Sequence, residues 1–128
     1  MSCEDELVVE FHPASGTFQA GQYQFEVVAN GAPMTCTVTI AGDLPSGTCS
    51  PASISLVGSL RCEGEACRAS PVQTHQVYQM VIRGNPTPIS VTASRDGSVL
   101  AQKTANPSYE VCGCEPNGHF GSTSLTVD

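Results

Sequence analysis

Two runs of strict alternation joined by one dipeptide constrain this chain more than any other feature. In Gln22-Tyr23-Gln24-Phe25-Glu26-Val27 every second residue is apolar, and Met34-Thr35-Cys36-Thr37-Val38-Thr39-Ile40 repeats the pattern. Successive side chains of an extended strand point to opposite faces, so each run presents one apolar and one polar face. After the first run comes Asn30-Gly31, the pair that best tolerates positive φ at both centres of a tight turn. The segment is read as a β-hairpin with Tyr23, Phe25 and Val27 on its core side, joined there by Met34, Cys36, Val38 and Ile40.

A second hairpin follows the same logic. Ile89-Ser90-Val91-Thr92-Ala93 alternates, Asp96-Gly97 turns, and 99–103 returns, with Ile89, Val91 and Ala93 inward. Segments 7–11, 54–57, 72–82 and 125–127 are rich in β-branched residues and bounded by Gly, Pro, Ser or Asn, which predicts further strands. No window carries a helical apolar stripe. Many short strands with regular turn signals describe a sandwich or barrel. The expectation is an all-β, antiparallel β-sandwich, immunoglobulin-like in architecture and stapled by disulfides. It forms a single domain over 1–128, with 1–6 as a flexible N-terminal tether. Antibody-type core features are absent because there is no tryptophan. Segment 58–71 reads as one long irregular stretch.

Seven cysteines are too many for thiols kept reduced, unless they hold metal or do redox chemistry, so an oxidising compartment is expected. The chain opens Met1-Ser2-Cys3-Glu4-Asp5-Glu6, without the basic and apolar segments of a secretory signal. The expectation is a leader already removed, with Met1 and Ser2 added for expression. Cys3 then becomes the first native residue, where bacterial lipoproteins carry their lipid. Setting Cys3 aside leaves an even set: Cys36, Cys49, Cys62, Cys67, Cys112 and Cys114. Cys36 with Cys49 is the first pairing, an inward strand cysteine joined to its partner across a loop containing Gly42, Pro45 and Gly47. Closing that loop is worth about 3 kcal/mol in the chain-entropy model. Bridges between the Cys62/Cys67 and Cys112/Cys114 groups would pin the irregular stretch to the last part of the sheet. The alternative is that Cys62, Cys67, Cys112 and Cys114 bind zinc, that copper sits on Cys112 and Cys114 with His119, or that a strained Cys112–Cys114 bridge does redox chemistry.

Charge removes other classes. Twelve acidic residues against 5 basic ones give a net charge of −7, which repels phosphate backbones and anionic headgroups, so no nucleic-acid partner is expected. A membrane enters only through a lipid on Cys3. His12, His75 and His119 are far apart and lack the spacing of a paired ligand motif, and the Gly-x-Ser-x-Gly and His-Glu-x-x-His patterns are missing. Neither catalysis nor a cofactor is expected. Protein partners or self-association through a sheet edge or loops are, because charged residues make up only 13% of the chain and leave edges lightly guarded.

Several segments taken in order carry a resemblance: Gly21-Gln22-Tyr23-Gln24-Phe25, Cys36-Thr37-Val38-Thr39-Ile40, Cys49, Arg95-Asp96-Gly97, Pro107-Ser108-Tyr109 and Pro116-Asn117-Gly118. Together they resemble a group of small secreted lipoprotein domains of myxobacteria and related bacteria. The resemblance implies an immunoglobulin-like sandwich exported to the envelope, whether anchored to the outer membrane, periplasmic or on the cell surface. It brings no activity with it. The chain departs from that pattern at its end, where a cysteine pair is expected after Pro116-Asn117-Gly118 and instead Cys112 and Cys114 precede it.

Overall fold

A computed structural model describes residues 5–51, 54–61, 75–111 and 119–127. Its strands are β1 (Glu6–Pro13), β2 (Gly21–Ala29), β3 (Ala32–Ile40), β4 (Thr48–Ser50), β5 (Ser55–Arg61), β6 (His75–Arg83), β7 (Ile89–Arg95), β8 (Ser98–Ala105), β9 (Glu110–Val111) and β10 (His119–Val127). They form two five-stranded sheets, ordered β5-β6-β1-β10-β9 (sheet I) and β4-β3-β2-β7-β8 (sheet II). β1 and β10 pair in parallel, and every other pair is antiparallel. This is the expected β-sandwich. An immunoglobulin-like strand plan is not confirmed by these orders, in which β1 and β2 lie in opposite sheets.

Both hairpins form as the alternation requires. Asn30 (φ 54°) and Gly31 (φ 78°) turn β2 into β3, and Asp96 (φ 51°) and Gly97 (φ 86°) turn β7 into β8. Positive φ at both central residues is the turn whose twist matches that of paired strands. Tyr23, Phe25, Val27, Cys36, Val38, Ile40, Ile89, Val91 and Ala93 are all buried. Phe25 stands at the centre of an aromatic cluster that joins the layers. Its ring centroid lies 4.3 Å from Phe11 and 5.8 Å from Tyr78, both of sheet I, and 5.8 Å from Tyr23 of its own strand. Phe18 closes the cluster edge-on, 5.6 Å from Tyr23 and 5.4 Å from Tyr78. Each such side chain removed from water contributes about 1.5–3 kcal/mol. The core admits tyrosine because its hydroxyls find partners: Tyr23 donates to the Gln19 carbonyl (2.8 Å) and Tyr78 to the Pro45 carbonyl (2.7 Å).

Two expectations need correction. The tether does not extend through residue 6, since Glu6 begins β1. Asp5 is held as well: Gly84 N–H donates to its carbonyl (2.9 Å) and His119 N–H to its Oδ1 (2.9 Å). The irregular stretch starts later than residue 58, because β5 runs to Arg61 in register with β6, Gly58 lying opposite Tyr78. Gly58 serves packing there, since a Cβ would stand 2.8 Å from Leu44 Cβ and 2.9 Å from the Tyr78 ring.

Candidate functional site

Of the cysteines singled out, Cys36 and Cys49 face each other in the β3–β4 ladder and form a disulfide. Cys3, Cys62, Cys67, Cys112 and Cys114 lie outside the described residues, and with them the lipid-anchor, further-bridge, metal and redox readings. Two of the histidines, His12 and His75, line one depression, and His119 lies apart from them. His12 Nε2 lies 3.1 Å from Glu10 Oε1, and Glu10 Oε2 accepts from Gln79 Nε2 (2.7 Å), both on sheet I. His75 begins β6 and lines one shallow depression with His12. His119 sits beside Asp5, Nδ1 to Oδ1 3.5 Å. Among the described residues no three His, Cys, Asp or Glu side chains are placed to hold a metal ion, and no helix is long and apolar enough to cross a membrane.

The arrangement with most to offer a partner lies on one side of the sandwich, where β8 ends sheet II and β10 runs near the edge of sheet I. Irregular segments plug both open sides, each pinned by a tyrosine hydroxyl. On the β4/β5 side, residues 43–47 are held by Tyr78 on Pro45 and by Gly47 N–H on the Leu56 carbonyl (3.0 Å). On the β8/β10 side, residues 106–109 are held by Tyr109, whose hydroxyl donates to the Pro86 carbonyl (2.5 Å). Burial raises the Tyr109 pKa. Gly121 makes that approach possible, since a Cβ there would lie 2.7 Å from the Tyr109 ring and 2.8 Å from the Ser108 carbonyl.

The second plug is incomplete. β9 pairs with β10 only at His119–Val111 and Phe120–Glu110. The chain before it contains Pro107, which has no N–H to give a ladder. A cleft of about 580 Å³ remains, lined by Lys103, Asn106, Glu110, Phe120, Ser122 and Thr123 among others. Phe120 is 45% exposed, so the cleft offers an aromatic surface beside Glu110, its partner in the β9–β10 pair.

β8 forms the other wall, and its facing is set by a bulge. Ala93 pairs with Ala101 but Ser94 pairs with Val99, leaving Leu100 as the extra residue. From Ala101 onward the odd positions oppose inward residues of β7: Ala101 with Ala93, Lys103 with Val91, Ala105 with Ile89. By register Lys103 therefore lies on the inward face of an edge strand, with its side chain exposed at the rim of the sandwich. Its Nζ donates to the Ser124 carbonyl of β10 (3.0 Å), bridging the mouth of the cleft. Among the described residues, β8 pairs with β7 alone, so its other backbone edge has no strand partner. Sequence reasoning missed Lys103, Glu110 and Phe120, and no motif marks them. Their relation arises from a bulge and a proline acting at a distance. No family model, curated protein or solved structure matches the chain.

Proposed function

We propose that this chain is a non-catalytic interaction module of the cell envelope or exterior, which docks an extended segment of a partner protein on the free edge of β8. The observation that carries the reading is this edge with a cleft beneath it. β8 (Ser98–Ala105) is backed by β7 on one side only, and the inward face beyond its bulge overlooks the opening lined by Lys103, Glu110 and Phe120. An added strand gains main-chain hydrogen bonds from such an edge and specificity from the pockets its alternate side chains enter. The Cys36–Cys49 bridge supports a location outside the reducing cytoplasm. Cys3 is the proposed lipid tether, in keeping with the secreted lipoprotein domains that the chain resembles.

A photo-crosslinking residue placed at Gln102 of β8, compared with one at Gln24 on the exposed face of β2, tests the docking surface in cells of the native host. A discrete adduct is expected from position 102 and not from 24. Equal labelling from both positions, or none from 102, overturns the reading. Mass spectrometry of the N-terminal peptide from the membrane fraction tests the tether, with an acylated Cys3 as the expected species.

A further inference from the structure

β8 is an edge that ought to pair indiscriminately, because beyond its bulge it is regular and free of proline and glycine. One device opposes this. A charged residue pointing inward from an edge strand must lose water when another strand covers it, and proteins use such residues to keep edges apart. Lys103 occupies that position, opposite buried Val91, with its ammonium on the Ser124 carbonyl. A carbonyl satisfies one donor of an ammonium and leaves its charge uncompensated. Covering it with an apolar strand takes water from an ammonium that has no carboxylate beside it, which disfavours that pairing.

Resting on the docking reading above, we infer that Lys103 makes the β8 edge selective for one class of partner strand, that carrying a carboxylate on its inward face next to the ammonium. The same lysine turns away a second copy of this chain. An acidic strand is acceptable locally despite the net charge of −7. The carboxylate lining the cleft, Glu110, sits at the Phe120 end of β10, whereas Lys103 sits at Ser124. Four strand residues separate those points, about 13 Å, beyond the screening length of about 8 Å at physiological ionic strength. The ammonium thus governs its own end of the cleft, and Glu110 suits a basic or hydroxylated side chain at the other. Self-pairing of β8 brings two inward lysines to one seam with no carboxylate between them, since the strand itself has no acidic residue.

The test uses the full chain and three short acetylated, amidated peptides that alternate threonine with valine and differ at one central inward position, glutamate, glutamine or lysine. Binding is followed by amide shifts and by slowed amide exchange along β8. The glutamate peptide is expected to bind about ten-fold or more tightly than the glutamine peptide, the usual return from a charge-assisted bond, and the lysine peptide not to bind. In Lys103→Met the preference for glutamate disappears and light scattering shows self-association at concentrations where the parent is monomeric. Lys103→Arg keeps both properties of the parent. If all three peptides protect β8 equally in the parent, charge selection is wrong while strand docking stands. If none protects β8, docking itself is wrong.

Discussion

The disulfide offers the sharpest energetic test of how this sandwich is held. β4 is only three residues long and meets the sheet through Thr35–Ser50, Cys36–Cys49 and Thr37–Thr48. A ladder this short holds β4 to the sheet weakly, so the covalent link adds to the two hydrogen bonds that pin residues 43–47, from Tyr78 to the Pro45 carbonyl and from Gly47 to the Leu56 carbonyl. With a sequence separation of 13 between the cysteines, removing the bridge returns about 3 kcal/mol of loop entropy to the unfolded chain. Replacing both with alanine also deletes the Cys36 sulfur from a fully buried site, adding about 1 kcal/mol for the space left behind. The sum, about 4 kcal/mol, is a large share of the 5–15 kcal/mol typical of a whole domain. For a chain of 128 residues it lowers Tm by about 15 °C. Guanidinium unfolding of Cys36→Ala/Cys49→Ala without reductant measures the loss, and the m-value should rise because the unfolded chain expands once the loop is open. Cys36→Ala alone should already cost nearly the full amount, leaving little for the second substitution. A double variant within about 1 kcal/mol of the parent, with unchanged m, would refute the reasoning.

The two kinds of glycine separate strain from crowding. Gly121→Ala meets Tyr109 and the Ser108 carbonyl at 2.7–2.8 Å and should cost about 1–3 kcal/mol through displacement of the plug. Gly97→Ala meets nothing within 4 Å but sits at φ +86°, for about 1–2 kcal/mol; urea midpoints read both, and only Gly121→Ala should change the Tyr109 ring environment by NMR. Phe25→Ala, at the centre of the aromatic cluster, should cost about 3–5 kcal/mol by calorimetry, and a loss under 1 kcal/mol would mean the layers are held elsewhere. Alkaline stability should follow Tyr78, whose pKa is pushed from 10.0 up to about 12 by burial and, second, by Asp43. The unfolded chain releases that phenol proton near pH 10 while the folded one holds it. Stability is therefore intact below pH 10 and falls as pH rises towards 12, and Tyr78→Phe should flatten the fall.

How much of this could be read in advance depended on whether the controlling signal was local. Both hairpins were legible because alternation and turn chemistry sit within a few residues of each other: Asn30-Gly31 and Asp96-Gly97 adopt the positive φ their types favour, and the inward residues are those the period selects. Cys36 with Cys49 was legible for the same reason, an inward cysteine and a short loop. The beginning of β10 was not. His119-Phe120-Gly121-Ser122-Thr123-Ser124 has little apolar content, and it becomes a strand because β1 supplies a parallel partner along its whole length. Parallel pairing between the first and last strands leaves no trace in either segment, and β9, two residues long, leaves none of its own.

The site was illegible for a more specific reason, and β8 shows it. Leu100 is apolar and packs against the core, so unbroken alternation from it places Gln102 and Thr104 inward and turns Lys103 to solvent. Under that reading β8 carries an ordinary outward lysine on an open edge. One extra residue at the bulge reverses the phase, because a period of two converts any single-residue shift into an exchange of faces. Ala101 and Ala105 then pack against the core and Lys103 reaches the Ser124 carbonyl across the layer. Low charge density suggested that the edges of this protein were lightly guarded. A guard depends on where a charge points as well as on how many there are, and Lys103 lies on the inward face of the edge. The bulge that hid Lys103 from the sequence is thus the same feature that makes it a gate.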